Sequence, residues 1–197
     1  MSRKKFTINK IMDFTSFSHG QIQSKTWLCQ NLEPHIPPDA RVAILGCWYN
    51  VLGFIMLTRN ENICQHILGI DIDPSVKETA DQINNAWTTF GDTPKVSHVT
   101  ADANTYNLYG YRVVVNCSPE HMESNQWFEN IDDGATVCLQ SSDIDIKDDA
   151  VWKCTNPNKS MEDFRKKYPL SQYLFAGTKE FRYGDWGYQR FMIIGIK

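Results

Sequence analysis

At 197 residues the chain suits one domain with a short extension, long enough to bury a core without disulfide or metal staples. Its 42% hydrophobic content excludes a wholly disordered chain, and 20 basic against 23 acidic residues, net −3, leave no basic footprint for gripping extended duplex nucleic acid. The longest purely apolar run, Val51 to Leu57, is far too short to cross a bilayer, so no membrane association is expected.

Residues 1 to 20 are polar and carry Ser16, Ser18 and Gly20, which suggests a mobile lead-in. Gln21 to Leu32 reads as an amphipathic helix with Ile22, Trp27, Leu28 and Leu32 on its apolar side, ended by Pro34, Pro37 and Pro38. The run Val42-Ala43-Ile44-Leu45 closes on Gly46 and has the character of a buried parallel strand. Asn50 is the expected cap of a buried helix, Val51 to Thr58. A second strand, His66 to Ile70, closes on Asp71, and Pro74 opens a helix reaching Trp87. A third strand, Val96 to Thr100, closes on Asp102, and a fourth, Arg112 to Val115, closes on Asn116. A helix is expected over Glu120 to Asn130, a fifth strand over Ala135 to Gln140, and a helix over Met161 to Lys167. Gln172 to Phe181 and Tyr188 to Ile196 alternate as strands around Gly184-Asp185-Trp186-Gly187. The class is therefore α/β, a Rossmann-like doubly wound, mostly parallel sheet with a C-terminal antiparallel hairpin. Residues 1–38 form an N-terminal extension and helix expected to act as a lid, and 39–197 the main domain.

The six cysteines, Cys29, Cys47, Cys64, Cys117, Cys138 and Cys154, include no C-x-x-C pair and no zinc spacing, so no metal site is expected. Several sit in apolar runs as small hydrophobes, which favours a reducing compartment. The basic amino terminus lacks the apolar stretch of a signal peptide, and a cytoplasmic protein is the expectation. The clusters Arg3-Lys4-Lys5 and Arg165-Lys166-Lys167 read as a solvated tail and a solvated face.

In an open parallel sheet, ligands bind beyond the carboxyl ends of the strands, where the strand order switches. Successive strand ends here carry Gly46, Asp71, Asp102 and Asn116. This order resembles the class I S-adenosylmethionine-dependent methyltransferases over roughly residues 40 to 197. The matching segments are Ile44-Leu45-Gly46-Cys47-Trp48-Tyr49-Asn50, Gly69-Ile70-Asp71-Ile72-Asp73-Pro74 and Ala101-Asp102-Ala103. The resemblance implies S-adenosylmethionine as cofactor, contacted by Gly46, Cys47, Trp48, Asp71, Ile72, Asp102 and Ala103. Asp71 would hold the ribose hydroxyls, since a carboxylate accepts two hydroxyl hydrogen bonds at once. Asp102 would take the adenine amine. Asp73 has a plainer expected role, as cap of the Pro74 helix. Ile44 stands where the family carries an acid, and Trp48 and Asn50 where glycines are common.

Asn116-Cys117-Ser118-Pro119-Glu120-His121-Met122 follows the fourth strand, facing the methyl-transfer position of that fold. It faintly resembles the Asn-Pro-Pro-aromatic turn of amino-group methyltransferases. Asn116, Glu120 and His121 are the candidate catalytic residues, Glu120 or His121 as general base. The plainer reading of Glu120 is a helix N-terminus, where its charge complements the dipole. Cys117 reads as a buried thiol before a nucleophile, and His19 as an exposed loop histidine before a pocket residue. The expected acceptor is a small molecule or a locally presented group, methylated on N or O. The chain also looks like some compact virus-encoded methyltransferases. Alternatives are a scaffold that kept the fold without turnover, or another enzyme using the same cofactor. A dinucleotide oxidoreductase ranks lower, because G-x-G-x-x-G is missing.

Overall fold

The apolar run after Asp39 folds as strand β1, Arg41–Leu45, with its last four residues buried. A strand with no polar side must be covered on both faces, so it sits mid-sheet. It pairs in parallel with β2 (His66–Asp71) and β4 (Val113–Asn116). Outside these lie β3 (Val96–Thr100) and β5 (Thr136–Ser142), also parallel. The hairpin of β6 (Gln172–Tyr183) and β7 (Trp186–Ile196) closes the sheet, with β7 antiparallel to both neighbours. The order is β3-β2-β1-β4-β5-β7-β6, as seen in a computed structural model that describes residues 12–88, 95–144 and 153–197. The observed class is the expected one, a mostly parallel α/β sheet with an antiparallel carboxyl-terminal strand.

Side-chain alternation along β1 divides the interior in two. Val42 and Ile44 face one cluster, with Leu28 and Leu32 of α1 (His19–Leu32) and Leu52 and Met56 of α2 (Val51–Arg59). Ala43 and Leu45 face the other, with Trp127 and Phe128 of α4 (Gln126–Glu129), Phe164 of α5 (Met161–Lys167) and Tyr168. Helix α3 (Lys77–Thr88) follows a single 3-10 turn, Pro74–Val76, that Asp73 caps by accepting from the Ser75 amide at 2.7 Å. Cap and charge agree in α5: Ser160 accepts from the Asp163 amide, acids fill the first turn, and Arg165, Lys166 and Lys167 fill the last.

Two sequence expectations are corrected. The helix over Glu120 to Asn130 is broken into a 3-10 turn at Pro119–His121 and the short α4, because Met122 between them is extended. Ser124 and Asn125 restart the chain: Ser124 Oγ accepts from the Gln126 amide at 3.0 Å, and the Asn125 carbonyl accepts from Phe128. Asn50 makes no side-chain cap on α2; its side chain turns inward instead. Residues 1–11, with Arg3-Lys4-Lys5, and most of the acidic stretch Asp143 to Asp149 lie outside the described residues.

Candidate active site at the β1, β2 and β4 strand ends

The sheet order reverses between β1 and β4, so their loops part there and leave a crevice. A cleft of about 410 Å³ opens at this point, within the usual range for small-ligand sites. Gly46, at φ 59°, starts the turn after β1. A Cβ there would come within 2.5 Å of Ser118 Oγ, so glycine lets the β1 and β4 loops meet without displacing that hydroxyl. Trp48 (φ 52°) and Asn50 (φ 57°) are also left-handed, at a cost of roughly 1–2 kcal/mol per non-glycine residue.

Side-chain anchoring offsets that cost. The Trp48 amide donates to Asp71 Oδ2 at 2.7 Å, and its ring stacks on Tyr49 with centroids 5.2 Å apart. Asn50 is fully buried, its amide nitrogen reaching the Ser97 carbonyl at 3.4 Å. Gly69 in β2 makes room for it, since a Cβ there would lie 2.8 Å from Asn50 Cγ.

Asp71 ends β2 on the cleft wall. Its Oδ2 accepts from Trp48 and its Oδ1 accepts from the Asp73 amide at 3.0 Å. One donor on each oxygen leaves lone pairs for further hydroxyl donors. Ile72 beside it is 68% exposed and lines the cleft, an apolar surface next to a carboxylate. Gly46, Cys47, Trp48, Asp71, Ile72, Glu120 and His121 are thus brought together on one cleft.

Three predicted residues are not among its lining. Asn116 is fully buried, its Oδ1 accepting from the Ser118 amide at 3.0 Å and its Nδ2 donating to Met122 Sδ at 3.3 Å. It shapes the turn behind the cleft. Asp102 turns back on its own loop, Oδ1 accepting from both the amide and side-chain nitrogens of Asn104, and Ala103 is buried in the core.

The opposite end of the cleft holds the chemically active groups. Glu120 is 3% exposed, and its Oε2 has no hydrogen-bond partner among the described residues. The Asn156 amide fixes its carbonyl at 2.9 Å. His121 Nδ1 lies 3.1 Å from the Lys153 carbonyl. Burial pushes the Cys117 thiol up to about 11, leaving it protonated at neutral pH and a poor nucleophile. Sequence reasoning missed Lys25 and Arg190, which also line this end. Their only signals are a lysine inside an otherwise packed helix and an arginine directly before an unbroken apolar run.

No protein-family model and no curated protein matches the chain. Solved structures do resemble it. The N-methyltransferase NodS from Bradyrhizobium japonicum aligns at TM-score 0.64 and 11% identity, covering 92% of this chain and 99% of that one. Geranyl diphosphate C-methyltransferase from Streptomyces coelicolor, solved with S-adenosyl-L-homocysteine, aligns at 0.65 and 10% identity, covering 89% and 78%. The MccD protein aligns at 0.67 and 12% identity, covering 90% and 98%. At such identities the likeness is one of architecture. The chain has the fold of the class I S-adenosylmethionine-dependent methyltransferases.

Proposed function

We propose that the protein is an S-adenosylmethionine-dependent methyltransferase acting through N or O of a small-molecule or locally presented acceptor. Asp71 carries this reading: a carboxylate at the end of β2, on the cleft wall, with lone pairs left over on both oxygens. Asp71 and Ile72 would hold the nucleoside part, and Gly46, Cys47 and Trp48 would border the rest. Asp102, with its Oδ1 held by Asn104, would take the adenine amine through its other oxygen.

Bound there, S-adenosylmethionine supplies an electrophilic methyl group. The chain's own work is to hold the acceptor in line and to manage its proton. The unpartnered Glu120 oxygen is suited to take that proton as the acceptor's lone pair is committed to the new bond. His121 is the neighbouring alternative. With a net charge of −3, affinity for extended duplex nucleic acid is weak in this proposal. Among the described residues no helix is long and apolar enough to cross a membrane.

Calorimetric titration of the full chain with S-adenosylmethionine and S-adenosylhomocysteine tests the reading. Saturable one-site binding of both is expected, and absence of binding at millimolar ligand would overturn it. A binding or scaffolding protein without turnover is favoured by one observation: Trp48 and Asn50 hold left-handed positions in the turn after β1, where glycines are common in the family. That alternative predicts cofactor binding with no consumption of S-adenosylmethionine beside any acceptor.

A further inference from the structure

Two cations converge on the acceptor end of the cleft. Ser24 of α1 donates to Gln140 Oε1 of β5 at 2.9 Å, and Gln140 Nε2 returns a bond to the Ser24 carbonyl at 3.1 Å. This clamp seats α1 on one face of the sheet at the β5 carboxyl end. Ser142, two residues on and therefore on the same face, pairs with Arg190 of β7. Lys25, next to the clamped Ser24, and Arg190 both line the cleft as a result.

Neither cation meets a carboxylate at ion-pair distance among the described residues. Arg190 is 9% exposed, its Nε has no partner, and the Tyr188 hydroxyl engages its guanidinium. Among the described residues the Lys25 ammonium donates to the neutral Gln21 Oε1. Burial pushes Lys25 down to about 8, with the nearby Arg190 charge adding to the fall, yet it stays mostly protonated at pH 7. Cys117, a neutral thiol, lies close to Lys25, Arg190 and Glu120 alike. Buried charge is costly unless paired, and an arginine fork matches a planar oxyanion. The cleft thus brings together two positive charges and the Glu120 carboxylate, and among the described residues nothing joins them.

We propose that the methyl acceptor carries an oxyanion, a carboxylate or a phosphate, that docks on Lys25 and Arg190 while its nucleophilic atom faces Glu120. This rests on the methyltransferase reading, but the anion site itself can be measured without it. Acetate and inorganic phosphate are titrated into the full chain, with and without S-adenosylhomocysteine, following the Arg190 Nε–Hε resonance and the Lys25 ammonium titration.

Saturable shifts of the Arg190 resonance, with the Lys25 pKa raised, are expected for at least one anion, and the tighter of the two names its class. Lys25→Met and Arg190→Met should each weaken that anion at least about tenfold, with Arg190→Lys intermediate. Thermal melts of the variants report folding, and S-adenosylhomocysteine affinity should stay within about twofold. Neither anion moving the resonance, or equal binding by wild type and folded variants, would overturn the proposal. Displacement of the anion by S-adenosylhomocysteine would assign the cations to the cofactor's own carboxylate and overturn it as well. Anion binding without cofactor binding would keep the oxyanion site but remove its role in methyl transfer.

Discussion

Asp71 serves the fold and the cleft together. Its two oxygens hold the Trp48 and Asp73 amides, so the left-handed turn after β1 depends on a side chain of β2. Asp71→Ala strands both amides and should cost roughly 1–3 kcal/mol in urea unfolding. The same variant should weaken S-adenosylhomocysteine at least about tenfold by calorimetry, with Asp71→Asn intermediate. A folded Asp71→Ala protein with unchanged affinity would reject the ribose role. Glu120 separates from it by function. Glu120→Gln keeps the volume of a fully enclosed side chain, so cofactor affinity should hold while turnover falls by about 10²–10⁴. Equal loss of both in a folded protein would make Glu120 structural.

At the scale of elements, α1 is part of the core as much as a cover. Leu28 and Leu32 are fully buried with Val42 and Ile44 of β1, and the Ser24–Gln140 clamp ties the helix to β5. The preceding residues do border the cleft: Asp13 and Ser16 line it, and the Asp13 amide donates to the Tyr49 hydroxyl at 3.2 Å. Leu28→Ala should therefore cost about 2–5 kcal/mol, the scale of a core truncation. A loss below about 1 kcal/mol in denaturant unfolding would show that α1 docks loosely and is a lid in its own right.

For the molecule as a whole, pH acts through histidines held in the sheet. His98 of β3 is buried with both ring nitrogens unpartnered among the described residues, and burial lowers its pKa, although Asp71 and Asp81 oppose the shift. His66 of β2 is lowered by burial and then by Arg41. The folded pKa lies below the unfolded value of 6.5, so below that pH the unfolded chain binds more protons. Stability is full above about 6.5 and declines as pH falls. Urea midpoints should drop between pH 7.5 and 5, and His98→Asn should flatten that slope relative to wild type. An unchanged slope in a folded variant would remove His98 from the acid response.

The sequence by itself determined the alternation of strands and helices, because unbroken apolar runs such as Val42 to Leu45 can only be buried on both faces. It also determined the strand-end residues Gly46 and Asp71, whose types answer local demands of turn and hydrogen bonding. Met161–Lys167 was legible to the residue, since cap, acids and bases stand at the right ends of one short helix. The break at Met122 was less legible, because apolar spacing across Glu120 to Asn130 hides the restart at Ser124-Asn125. Only the tertiary structure decided which polar residues share the cleft. Asn116 is a candidate catalytic residue by its place at the end of β4, but the β4 turn consumes its amide, and Asp102 turns its Oδ1 to Asn104. Lys25 and Arg190, 165 positions apart in sequence, meet at the cleft because β7 inserts beside β5 and the Ser24–Gln140 bond holds α1 on the same face. Periodicity records which side of its own element a residue occupies, whereas contacts between distant elements depend on sheet order and docking, which no local pattern encodes.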